Sequence, residues 1–182
     1  MEFNPYQRQG QMDHLQSYFY TDSIFEHKPL LKDDKIKMII INSLQHLVIA
    51  KKIIVYGYVI MPNHIHLIWE MLALNGKESP AGSFAKFTAH EFKKYLLLTD
   101  AVELQKFRSD KIDRKYQFWN RDPLAIPLTS EKSFQQKLNY IHFNPLDEKW
   151  NLANCPENYL WSSARFYETG YDEFAIVSDY RL

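Results

Sequence analysis

The run Asn63-His64-Ile65-His66-Leu67 carries the sharpest chemistry in this sequence. On a β-strand, residues two apart point to the same side, so His64 and His66 project together from one face. Two neutral imidazoles that close form a half-site for a divalent metal. The plainer reading is a pair of partly exposed histidines on an open sheet face, and the pattern alone does not separate the two. Tyr140 and Asn144, one helical turn apart, offer partners. At about 100° per residue, Phe134, Leu138 and Ile141 form a narrow apolar stripe, while Ser133, Gln136, Lys137, Tyr140 and Asn144 cluster roughly 120° away. An aromatic off the core stripe is either a rim tyrosine with a wetted hydroxyl or a side chain placed for chemistry. A helix laid on the sheet would bring Tyr140, the Asn144 carbonyl oxygen and both imidazoles together. That set suits phosphodiester chemistry, in which a metal polarises a phosphate oxygen. A phenol, with an ordinary pKa of about 10, is a weak nucleophile at neutral pH and needs activation by the metal or by Lys137.

The elements that must position these groups are legible in the periodicity. Residues 17–25 are aromatic and β-prone and predict a strand. Lys32-Asp33-Asp34 leads into a helix with Ile36, Ile40, Leu44 and Leu47 on one face and an aspartate placed to cap it. Residues 53–61 are apolar on both alternate sets, as in a central strand; Pro62-Asn63 is a turn, and 64–71 alternates cleanly, so the two strands read as an antiparallel hairpin. A second helix carries Phe84, Ala85, Phe92, Tyr95 and Leu96 on its apolar face, with Lys86, His90, Lys93 and Lys94 off it. Residues 116–126 predict a last strand that Pro123 makes irregular or edge-like. A third helix, 130–143, stops at Asn144-Pro145, because proline disfavours helical geometry in the residue before it. The order predicts an α+β fold: a ferredoxin-like antiparallel sheet with helices packed on one face.

Composition bounds the class. The chain has 182 residues, of which 22 are Lys or Arg and 22 Asp or Glu, and a single cysteine. That length predicts one domain over 1–182, with a core at about 15–146 and a C-terminal extension at about 147–182. Cys155 alone excludes an internal disulfide framework and a Cys-rich zinc module. No apolar run is long enough to span a bilayer, and the polar start has no signal-like stretch, so a cytoplasmic protein without a membrane partner is expected. A net charge of zero argues against a non-specific coat for duplex DNA. The distribution is uneven, however. Residues 106–121 hold Lys106, Arg108, Lys111, Arg114, Lys115 and Arg121 against Asp110 and Asp113, whereas the chain from 131 onward is acidic. Lys86, Lys93, Lys94, Lys111, Arg114, Lys115, Arg121 and Lys137 are candidate phosphate contacts, and Trp119 is a candidate base-stacking residue.

Three blocks, Gly57-Tyr58-Val59-Ile60-Met61-Pro62-Asn63-His64-Ile65-His66-Leu67, Phe118-Trp119-Asn120-Arg121 and Tyr140-Ile141-His142-Phe143-Asn144-Pro145, resemble the single-tyrosine HUH transposases. Within that group the chain is most similar to the REP-associated tyrosine transposases, whose tail Tyr159-Leu160-Trp161-Ser162-Ser163 also resembles. The resemblance implies a ferredoxin-like HUH nuclease fold and cleavage and joining of single-stranded DNA at hairpin-forming repeats, with Mg²⁺ or Mn²⁺. Carried over by position, His64 and His66 match the metal-binding pair, Tyr140 the nucleophile that forms a 5′-phosphotyrosine, and Asn144 a further metal ligand. Insertion-sequence relatives form dimers that can swap the tyrosine helix between subunits, whereas REP-associated members can act as monomers, so the resemblance leaves a homodimer and a monomer both open. The sequence departs from the family after Pro145, where Leu146-Asp147-Glu148-Lys149-Trp150 replaces small and basic residues. A histidine-triad nucleotide hydrolase is excluded, because its third histidine would fall at Ile68. A DNA-binding protein of the same fold that no longer mobilises DNA, and a phosphodiesterase using water, remain as alternatives.

Overall fold

In the computed structural model, residues 11–112 and 114–182 are described; the polar start at 1–10 and Asp113 lie outside them. The chain runs β1 (Ser17–Ser23), α1 (Asp34–Ile49), β2 (Ile53–Ile60), β3 (His64–Met71), α2 (Pro80–Thr99), α3 (Ala101–Gln105), β4 (Leu124–Pro127), α4 (Glu131–Phe143) and α5 (Ala164–Thr169). Capping chemistry sets the helix starts. Asp33 accepts from the Lys35 N–H ahead of α1, and Ser79 from Gly82 ahead of α2, with Pro80 in the first turn. Ser130 and Ser133 cap α4 reciprocally. Each side-chain oxygen satisfies an N–H that the helix itself leaves without a partner.

The four strands form one antiparallel sheet in the order β2-β3-β1-β4. With helices after β1 and β3, this is the ferredoxin-like arrangement expected from the sequence. The two faces follow from strand alternation. On one face Tyr20 packs against Trp69, and Trp69 against Phe84 of α2. There α1 and α2 bury Ile36, Ile40, Leu44, Phe84 and Phe92 over the sheet. The opposite face carries Phe19, Thr21, His64, His66 and Gly57. It receives α4, whose Leu138 and Ile141 methyls lie over Gly57. Helices therefore cover both faces, α1 and α2 on one and α4 on the other, where the sequence predicts one face, because Gly57 leaves room for α4 on the second.

The last strand is shorter than the periodicity predicts. It begins only at Leu124, after Pro123, and pairs with β1 at the sheet edge. Phe118 and Trp119 turn inward instead: Phe118 stacks on Phe107, and Trp119 packs on Phe84 and Phe92. Aromatic burial under α2 takes these residues out of the strand. The other sheet edge is closed by the C-terminal segment. Ile60 N–H donates to Trp161 O, Ser163 N–H to Tyr58 O and Ser178 N–H to Val55 O. The exposed groups of β2 thereby gain partners. Among the described residues, no helix is long and apolar enough to cross a membrane.

Candidate active site

His64 and His66 stand on β3, between β2 and β1, and their rings lie 4.7 Å apart. Register pairs Ser23 with His64 and Thr21 with His66. The Thr21 hydroxyl consequently sits beside His66, with Oγ1 at 2.7 Å from Nδ1. Asn63 orients the other ring: its Nδ2 donates to the His27 carbonyl, which turns Oδ1 toward His64 Nδ1 at 2.7 Å. An acceptor at Nδ1 requires the proton there, leaving the His64 Nε2 lone pair for a ligand. Burial, with His27 and Lys149 nearby, holds the His64 pKa down at about 4. Burial, with His64 and Lys137, holds that of His66 at about 3. Both rings are neutral at pH 7, the form that binds metal.

Helix α4 brings the tyrosine. A Cβ on Gly57 would lie 2.7 Å from Leu138 Cδ1 and 3.1 Å from Ile141 Cδ1, so the glycine is what lets the helix approach the sheet so closely. From that position the Tyr140 ring meets His66 edge-on at 5.3 Å and Phe19 at 6.0 Å. Tyr140 is half exposed. Lys137, one turn earlier, holds its ammonium 4.6 Å from the Phe19 ring centroid and 5.7 Å from that of Tyr140. Helix α4 ends at Phe143, and a short 3-10 turn, Asn144–Leu146, follows. A cleft of about 860 Å³ opens here, lined by residues that include His64, Tyr140, Asn144 and Trp150.

Two buried polar atoms around this cleft have no hydrogen-bond partner, His66 Nε2 and Asn144 Oδ1. A desolvated acceptor without a partner costs about 1–3 kcal/mol. Both belong to the donor set expected from the sequence; with the His66 proton on Nδ1, each atom offers a lone pair to a cation. Among the described residues no group of three His, Cys, Asp or Glu could hold a metal, so a third protein donor beside the two imidazoles would have to be an uncharged oxygen such as that of Asn144. Two imidazoles and an amide oxygen suit a divalent ion with open positions for water or phosphate.

The C-terminal segment fixes α4 from behind. Ser163 Oγ accepts from Tyr58 N–H at 3.0 Å and lies 2.8 Å from His142 Nε2 on α4. One serine thus ties the tyrosine helix to β2. Its neighbour Tyr159 donates to the Ile60 carbonyl at 2.8 Å. No periodicity marks these contacts in the sequence, because they join segments about a hundred residues apart on β2 and about twenty apart on α4.

The basic residues expected to contact phosphate are scattered. Lys137 stands beside the Tyr140 ring, but Lys86, Lys93 and Lys94 sit on α2, across the sheet from His64. Lys86 pairs with Glu78 and Lys94 with Glu91; Lys93 lies over the Tyr116 ring, as does Lys115. Lys111, Arg114 and Lys115 belong to the connection between α3 and β4. Arg121 follows Asn120, whose N–H donates to Ser23 O at the His64 end of β1. Trp119 corrects the expectation of base stacking: it is 7% exposed, and its Nε1 donates to Thr88 Oγ1 at 2.9 Å. Trp150, which no periodicity or spacing in the sequence marks, lines the cleft, 5.7 Å from the His64 ring.

No protein-family model matches the sequence, and no curated protein matches it. Solved structures do. The structure of a REP-associated tyrosine transposase bound to a REP hairpin superposes with a TM-score of 0.61 at 16% identity, over 97% of this chain and 93% of that one. The chain shares the fold of a REP-associated tyrosine transposase. The alignment spans nearly the whole of both chains. A candidate transposase from Deinococcus radiodurans also aligns, at 17% identity over 78% of this chain and 95% of that one, with a TM-score of 0.43.

Proposed function

We propose that this protein is a metal-dependent single-stranded DNA endonuclease and strand transferase, a transposase acting at hairpin-forming repeats with Tyr140 as nucleophile. The observation that carries the reading is the pair of buried, unpartnered donors, His66 Nε2 and Asn144 Oδ1, beside a half-exposed tyrosine packed on His66. The solved neighbour bound to a REP hairpin supports the choice of substrate. His64, His66 and Asn144 would hold Mg²⁺ or Mn²⁺, which supplies Lewis-acid polarisation of a phosphate oxygen when bound.

The chain's own residues do the rest. Thr21 and Asn63 keep both rings in the ligating orientation. The Lys137 ammonium favours negative charge on a phosphate placed beside Tyr140. Tyr140 Oη attacks phosphorus and loses its proton; the bond to the 3′ oxygen breaks, and that oxygen leaves with the electron pair to become a 3′-hydroxyl. The product is a 5′-phosphotyrosine, which a second 3′-hydroxyl attacks in the reverse sense. Bond energy is conserved, so joining needs no nucleotide cofactor.

Incubation of the full chain with Mn²⁺ and an end-labelled hairpin single strand is expected to give a denaturant-resistant protein–DNA band. Tyr140→Phe removes the band and leaves DNA binding within about two-fold, since one hydroxyl makes at most a weak contact in the ground state. Cleavage that persists in Tyr140→Phe refutes the nucleophile and favours attack by water.

A further inference from the structure

The cleft holds more aromatic surface than phosphotyrosine chemistry requires. Phe143, in the last turn of α4, is 59% exposed. Trp150 packs one side against His64 at 5.7 Å and stays partly exposed. The Lys149 ammonium lies 5.1 Å from the Trp150 ring centroid, and that of Lys137 lies over Phe19 and Tyr140. Among the described residues neither lysine forms an ion pair with a carboxylate. Two cations held over aromatic faces beside an open cleft make a site for a flat, polarisable group joined to an anion, and a nucleotide is that combination. The segment that supplies Lys149 and Trp150 is where the sequence departs from the family pattern. It is fixed in place: Trp150 N–H donates to the Asp147 carbonyl and Leu152 N–H to that of Pro145, both at 2.8 Å.

We propose that Trp150 and Phe143 form a stacking platform for an unpaired base of single-stranded DNA next to the phosphate presented to Tyr140, with Lys149 on the adjoining phosphate. The proposal rests on the reading of the cleft as a DNA-cleaving site, and it adds the subsite that grips the strand. Stacking tolerates any base, so the platform positions the strand, and sequence discrimination falls to other contacts.

Binding measured without metal separates the subsite from the chemistry. Fluorescence anisotropy with a labelled oligo-thymidine single strand is expected to show binding weakened about 5- to 150-fold in Trp150→Ala, the range for loss of one stacked base, with most of it restored in Trp150→Phe. Phe143→Ala weakens binding in the same direction. Intrinsic fluorescence gives a second readout that needs no variant. Trp69, Trp119 and Trp161 are buried at 0%, 7% and 7% exposure, so quenching by the oligonucleotide reports Trp150. Unchanged affinity in both alanine variants, or no quenching on saturation, overturns the platform. Should those variants still form the covalent adduct, the cleavage reading survives that failure. Conversely, Trp150-dependent binding without any adduct supports the platform and refutes the cleavage.

Discussion

Three histidines are held neutral by burial, and this makes the residue scale testable with pH. His64, His66 and His142 have pKa values pushed down to about 4, 3 and 4 from the ordinary 6.5. Between pH 4 and 6.5 the unfolded chain binds protons at these rings and the folded chain does not. Stability from this source is therefore complete above pH 6.5 and is lost as pH falls toward 4. Asp22 acts in the opposite sense: burial raises its pKa from 3.8 to about 7, so its contribution is lost as pH rises through that window. Three groups outweigh one. Urea denaturation at pH 7 and pH 5 is expected to show lower stability at pH 5, and equal or higher stability there contradicts the neutral-histidine picture. The His-x-His pair itself was legible, since period-two alternation puts both rings on one face. The groups that orient them were not, because Thr21 reaches His66 only through cross-strand register.

At the scale of elements, the position of Tyr140 depends on how closely α4 lies on the sheet. The off-stripe position of Tyr140 and the apolar line Phe134, Leu138 and Ile141 read correctly, because a helix seated on its apolar stripe turns the flanking residues to the rim. Which face it would cover was not legible; Gly57 decides that, and a glycine in a strand announces close approach without naming the partner. Gly57→Ala places a Cβ 2.7 Å from Leu138 Cδ1. It is expected to cost about 1–3 kcal/mol in urea denaturation and to lower adduct formation further as Tyr140 shifts from His66. Unchanged stability and adduct yield contradict the close seating. Trp119 shows the limit of composition: a tryptophan beside arginine suggests stacking on a base, yet its indole N–H is satisfied by Thr88 inside the α2 layer.

For the whole molecule, the net charge of zero hides a division between the two faces of the sheet. Lys149 lines the cleft and Lys137 stands beside Tyr140, whereas Lys86, Lys93 and Lys94 lie on the far side, on α2. If DNA occupies the cleft, Lys137→Gln and Lys149→Gln each weaken binding and reduce the slope of log K against log salt by about one. The triple change of the α2 lysines to Gln leaves that slope unaltered, and a large effect from α2 places the DNA on the other face. The ferredoxin-like order was legible because each element carries its own period. The role of the chain after 147 was not, since its contacts with β2 and His142 are long-range hydrogen bonds rather than a pattern.

Mass spectrometry of the trapped adduct locates the covalent bond between DNA and Tyr140. Trypsin cuts after Lys137 and Lys149, and the peptide between them contains Tyr140 as its one tyrosine. After nuclease trimming, that peptide is expected to carry a nucleotide through a 5′-phosphate on Tyr140, only when Mn²⁺ or Mg²⁺ was supplied, and not in His64→Ala. Cleaved DNA with an unmodified 138–149 peptide, or a nucleotide found on another residue, contradicts the account.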